Sequence, residues 1–70
     1  MEKTAIERHI ENKIERLREE RKELNHSIAV CTKLGHDLQA SVFRKDIQWI
    51  GAMIDQLDEI LSKIQKSKTA

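Results

Sequence analysis

The apolar positions of this 70-residue chain form two helical patterns separated by a short break. In the first half, apolar side chains recur at steps of 3, 4 and 7 residues, at Ile6, Ile10, Ile14, Leu17, Leu24, Ile28 and Cys31. At about 100° per residue these positions occupy an arc about 100° wide. Such an arc is typical of an amphipathic helix that packs against one neighbour.

The second half has a regular heptad pattern. Its apolar residues alternate steps of 4 and 3, at Phe43, Ile47, Ile50, Ile54, Leu57, Leu61 and Ile64. This is the a/d spacing of a helix in a coiled-coil seam. With no Pro and few aromatic residues in the chain, the pattern indicates an all-α protein.

Local signals predict where the two helices begin and end. Thr4 and Glu7 have the spacing of a capping box, and Gly35 can adopt the left-handed conformation that ends a helix. Asp37 is the preferred N-cap of the second helix, with Ser41 as the alternative. We predict a first helix over about 4–34, a corner over about 35–37, a second helix over about 38–66, and a short basic tail over 67–70.

A corner this short makes the two helices antiparallel neighbours. Apolar residues then face each other in six layers in which the residue numbers sum to about 75. The predicted pairs are Cys31–Phe43, Ile28–Ile47, Leu24–Ile50, Leu17–Leu57, Ile14–Leu61 and Ile10–Ile64. We therefore predict a single domain that is an antiparallel two-helix hairpin. A long parallel coiled coil bent at Gly35 remains the alternative.

The second helix carries more apolar surface than the first can cover. Val42, Trp49, Met53 and Ile60, here called the second stripe, widen its apolar arc to about 160°. A two-helix hairpin also has a small core for independent stability. We expect two hairpins to pack through their second helices as a homodimeric four-helix bundle. Binding of another protein by the second helix is the alternative, and the relative direction of the two hairpins is open.

Two residues interrupt the patterns and are further candidates for an interface. Arg21 occupies an a position opposite Ile54, where a polar side chain can fix the register at some cost in stability. Gly51 lies within the second helix, where glycine costs about 1 kcal/mol relative to alanine. A close approach by another backbone would explain it.

Charge and composition narrow the class of partner. The net charge is +1, and both halves of the chain carry nearly balanced acids and bases, so nucleic acid is not an expected partner. No apolar run approaches the roughly 20 residues of a membrane span, and the first residues lack a signal-peptide pattern. With a single cysteine, Cys31, the chain has no internal disulfide, and we expect a cytoplasmic protein.

The residues that could carry chemistry are scattered. His9, His26 and His36 lie outside the apolar stripes without the spacing of a metal site, and Cys31 is placed in the core. No arrangement of nucleophile, base and phosphate-binding loop is present in the sequence. The expectation is a non-enzymatic interaction or regulatory module without metal or cofactor.

Two family resemblances define alternative functions. In length and layout the chain is similar to the dimeric RNA-regulating Rop family, which would imply RNA binding. Mixed charges replace the basic, aromatic-bearing stripe that such binding requires. The segments "IERLREERKEL" and "DQLDEIL" also resemble the sporulation-regulating aspartyl-phosphate phosphatases. Leu57 and Asp58 match the end of their Ser-Gln-Glu-Leu-Asp motif, whereas Ile54, Asp55 and Gln56 depart from it.

Overall fold

The protein is a hairpin of two long α-helices. The computed structural model describes residues 3–69, with side chains described as far as Ser67. Helix α1 spans Ala5–Leu34 and helix α2 spans Asp37–Thr69, and the two pack against each other along their length. The Cα atoms extend over 53 × 16 × 12 Å, so the molecule is one helix pair thick. The predicted all-α hairpin is confirmed.

Helix α1 begins at the predicted capping box. The Glu7 amide donates to Thr4 Oγ1 over 3.2 Å, and the Thr4 amide donates to Glu7 Oε1 over 3.4 Å. Two backbone N–H groups that lack helical partners are thereby satisfied. Lys3 Nζ adds an ion pair of 2.8 Å to Glu11 Oε2, which holds the entering chain against the first turns.

The corner is closed by Gly35. Its φ of 78° is left-handed, a conformation that side-chain-bearing residues rarely adopt. The amides of Gly35 and His36 donate to the carbonyls of Thr32 and Cys31, over 3.2 and 2.8 Å. This pair of bonds is the Schellman arrangement, and it reverses the chain within two residues.

Helix α2 starts and ends differently from the prediction. The His36 carbonyl accepts the Ala40 amide over 3.0 Å, so His36 is the cap residue and Asp37 is the first helical residue. The Asp37 carboxylate still lies in the first turn, where it favourably opposes the helix dipole. At the other end α2 continues to Thr69, so most of the predicted 67–70 tail is helical, and Ala70 lies outside the described residues.

The hairpin core is densest in the middle of the seam and towards the open end. Five side chains form the buried cluster: Ile10, Ile14, Leu17, Ile50 and Ile54. Leu24, Leu57, Leu61 and Ile64 pack against this cluster as the layer pairing predicts, and Met53 joins them from the edge of the second stripe.

The seam is less covered towards the corner. The four side chains of the last two predicted layers, Ile28, Cys31, Phe43 and Ile47, are only half-buried. The buried residue in this half is Ala40, which continues the a/d pattern of α2 one step before Phe43 and was not predicted. Small side chains close to the turn provide little apolar surface, so the neighbouring side chains are only partly buried.

Ile6 was predicted to belong to the seam but is 64% exposed. Continuing the layer pairing places it opposite Thr69, beyond the last apolar layer at Ile64. It therefore has no apolar residue on α2 to pack against.

Surface ion pairs form at only some of the favourable helical spacings. The Lys63 ammonium lies 3.5 Å from Glu59 Oε1, at the favourable i, i+4 spacing. Glu15–Arg18 and Glu19–Lys22, which are spaced i, i+3 on α1, are not within ion-pair distance in the described part of the chain. Both are exposed pairs with i, i+3 spacing, for which solvation competes well with contact.

Candidate interaction surface

The second stripe lies largely in solvent. Trp49 is 66% exposed, Val42 52% and Ile60 48%, whereas Met53 is half-buried because it also contacts the core cluster. All four residues lie within about 40° of Trp49 on the α2 wheel. The hairpin thus positions them as a single line along one side of α2, and α1 does not cover them.

Three more apolar side chains are exposed around the corner. Val30, Leu34 and Leu38, here called the corner patch, are all classed as exposed, and Leu38 reaches 87%. Leu38 could have been found from the sequence, because it lies about 20° from Trp49 and extends the same line by one turn. Val30 and Leu34 carry no such signal, since they belong to neither apolar stripe of the sequence.

The corner patch and the second stripe share one broad face of the hairpin. On α2, Trp49 is turned by about 110–120° from the centre of the seam, and on α1, Leu34 is turned by about 110° in the same sense. The two helices run in opposite directions. Rotations of equal size and sense about each helix axis, starting from the seam, therefore end on the same broad side of the hairpin. We call this side the apolar face.

The opposite side is the polar face. A groove on it is lined by charged side chains from both helices, including Glu11, Glu15 and Arg18 of α1 and Asp58 of α2. Three carboxylates and one guanidinium line this groove, which is open to solvent. The two broad faces of the hairpin therefore differ along α2 and at the corner, whereas the α1 side of the apolar face carries the polar side chains His9, Asn12, Arg16 and Glu20.

Arg21 and Gly51 lie away from the second stripe. Gly51 is turned by about 160° from Trp49 on α2, towards the polar face. A Cβ atom added at Gly51 would meet no atom within 4 Å, so nothing in the hairpin itself requires glycine there. Arg21 is half-buried and lines a polar-face groove with Glu15, Arg18, Glu19, Lys22 and Asn25.

Arg21 lies along the seam without an acid to compensate its charge. Among the described residues, neither a salt bridge nor a side-chain hydrogen bond involves it. Its stem therefore covers part of the seam near Ile54, while its charged end reaches solvent.

The residues with potential for chemistry remain apart. His9, His26 and His36 are exposed, and the Cys31 thiol is free and half-buried. Within residues 3–67, no three His, Cys, Asp or Glu side chains converge as a metal site would need. The surface grooves are open to solvent; one combines His9, Asn12, Lys13, Arg16, Leu17 and Glu20, and no Ser, Thr or Cys lines it.

Neither helix, over its described residues, has the length and apolar character needed to cross a membrane. Comparison with known proteins adds no relative: no family model matches the chain, and no curated protein or solved structure is detectably similar to it. The features that bear on function are thus the apolar face and its contrast with the polar face.

Proposed function

We propose that the chain is a small non-enzymatic protein–protein interaction or regulatory module that acts as a homodimer of helical hairpins. The observation that carries this proposal is the exposure of Trp49, at 66%, in a line of apolar side chains along α2. Aromatic anchors surrounded by apolar neighbours are typical of protein interfaces. A second copy offers an identical line, so two α2 helices can cover each other in a four-helix bundle.

The energetics of the hairpin support this arrangement. The buried cluster contains five side chains, a small core for 70 residues, and chains of this size commonly need oligomerisation or another staple. Burial of the second stripe in both copies contributes about 25 cal/mol per Å² of apolar area. Dimerisation would thus supply several kcal/mol, about the scale of stability of a small domain.

The corner patch supports the part of the proposal that concerns binding of another protein. Val30 and Leu34 belong to α1 and lie outside a contact made by two α2 helices. A dimer would therefore leave Val30 and Leu34 of each copy available to another protein. The grooves are open to solvent, whereas catalysis normally requires a pocket that excludes water, and this favours a binding role over an enzymatic one.

A matched pair of variants tests the dimer. Trp49→Glu places a carboxylate in the second stripe, and Ser62→Glu places the same group on an exposed position turned about 140° away on α2. We expect Trp49→Glu to raise the dimer dissociation constant at least about 100-fold, as truncation of an interface anchor does. Sedimentation velocity gives the mass, and far-UV circular dichroism gives the helix content.

Trp49→Glu should sediment as a monomer with reduced helix content, and Ser62→Glu should behave as the parent protein does. If both variants keep the parent's mass and helicity, the second stripe does not hold two copies together. If the parent protein is itself a stable monomer, the homodimer is excluded, and the second stripe becomes the surface for a different protein.

A further inference from the structure

The second stripe has the same spacing in both directions along α2. From Val42 to Trp49 is seven residues, from Trp49 to Met53 four, and from Met53 to Ile60 seven again. Resting on the homodimer proposed above, we infer that the two hairpins pair in antiparallel orientation through α2, with facing residue numbers that sum to about 102. Val42 then faces Ile60 of the second copy, and Trp49 faces its Met53.

Side-chain size favours this orientation. Antiparallel pairing puts the bulky indole of Trp49 against the flexible, unbranched Met53, and the small Val42 against the larger Ile60. Parallel pairing would put two indoles at one level and two valines at another. Alternation of large and small side chains across a seam fills it more evenly, and methionine adapts well to an aromatic neighbour.

Charge favours the same orientation. Lys45 and Glu59 are exposed, and both flank the second stripe on the same side, about 40° and 80° from Trp49. In an antiparallel pair the same flank of each helix meets, so Lys45 of each copy approaches Glu59 of the other. The pair lies about two residues, or ~3 Å, from the ideal register, which a lysine side chain spans.

A parallel pair would not bring Lys45 and Glu59 together. Its two-fold axis runs along the helices, so the flank that carries both residues lies on opposite sides of the contact in the two copies. In the antiparallel register Lys63 lies near Ser41 of the second copy. Glu59, which already pairs with Lys63 at 3.5 Å, is then shared between a lysine of its own chain and one of the other.

Distances between spin labels on the two copies test the orientation. Single cysteines replace Arg44, Asp55 or Ser62, three exposed residues turned away from the second stripe, in a Cys31→Ala background. At ~1.5 Å per residue, the antiparallel register predicts axial separations of about 21, 12 and 33 Å respectively. The lateral separation is similar at the three positions, because they share one side of α2. Pulsed electron–electron double resonance measures each distance.

The antiparallel pair predicts the order Asp55 shortest, Arg44 intermediate and Ser62 longest. Equal distances at the three positions would overturn the antiparallel orientation while leaving the homodimer in place. No dipolar coupling between chains at any position would overturn the homodimer and this orientation together. Because the labels face solvent, they do not disturb the contact being measured.

A charge exchange gives an independent check. Lys45→Glu and Glu59→Lys should each raise the dimer dissociation constant by about three- to tenfold, since each breaks two exposed pairs in the dimer. The double variant should recover most of the affinity if the two residues face each other across the contact. Additive losses in the double variant would contradict the antiparallel register.

Discussion

The same two helices form both broad faces of the hairpin. The polar face carries charged side chains, whereas the apolar face exposes apolar side chains along α2 and at the corner. The polar face combines Arg18 of α1 with Asp58 of α2 and further acids in one charged groove. The apolar face exposes Trp49, Val42 and Ile60, together with the corner patch. Both faces border the same seam, so the difference comes from the residues flanking it.

This contrast shows how much one helix can cover. The seam of a helix pair needs an apolar arc of about 100° on each helix, which is what α1 provides. Helix α2 has an arc of about 160°, and its surplus lies entirely on the apolar side. Helix α1 thus covers the seam of α2 but leaves the second stripe exposed on the apolar face.

The largest predicted effect comes from a double substitution in the second stripe, compared with a matched double substitution on the polar face. We expect Val42→Ser with Ile60→Ser to raise the dimer dissociation constant at least about 100-fold, because each buried Val or Ile side chain contributes about 1.5–3 kcal/mol. The polar-face control, Arg18→Ser with Asp58→Ser, should change stability by less than about 0.5 kcal/mol. Sedimentation equilibrium and urea unfolding measure both. Equal effects on the two faces would contradict the contrast between them.

A smaller effect is expected where a charge lies on the seam itself. Arg21→Leu should raise the free energy of unfolding by about 1 kcal/mol, because it replaces a half-buried, charged residue without an acidic partner by an apolar side chain and makes the seam continuously apolar. A continuously apolar seam could also admit other oligomers. Thermal melting combined with mass measurement tests both effects. A large fall in melting temperature would instead reveal a partner for Arg21, for example at an interface on the polar face.

An effect of similar size, confined to the stability of the hairpin, is expected at Gly51. Gly51→Ala should stabilise the protein by about 1 kcal/mol through helix propensity, because the added Cβ enters open space in the hairpin. The dimer dissociation constant should not change, since Gly51 is turned by about 160° from Trp49. Chemical denaturation and sedimentation measure the two quantities. Weaker dimerisation would mean that another backbone packs against Gly51.

Most of the fold could be predicted from the sequence, because the signals in the sequence are local or strictly periodic. The Thr4 capping box, the left-handed Gly35 and the heptads of α2 each depend on a few residues, and all are present in the structure. The start of α2 differs by one residue from the predicted Asp37 cap, because the His36 carbonyl accepts the Ala40 amide, and this backbone bond does not depend on the capping preference of the side chain.

The gradient of burial along the seam could not be predicted in the same way. Periodicity assigns a side chain to one side of a helix, but it does not say how completely neighbouring side chains bury it. Ile6 and Phe43 belong to the correct stripes, yet Ile6 lies beyond the last apolar layer and Phe43 lies beside small corner residues. Leu34 was missed for the opposite reason: it is outside both stripes, and only the packing of the helices places it on the apolar face.

The mass of the unmodified protein in solution, followed together with its tryptophan emission, tests the covering of the apolar face most directly. Trp49 is the only tryptophan in the chain, so its emission reports on the second stripe alone. We predict twice the 8.2 kDa of one chain, with blue-shifted emission that moves to the red as dilution separates the copies. A stable 8.2 kDa monomer with red-shifted emission at all concentrations would contradict it.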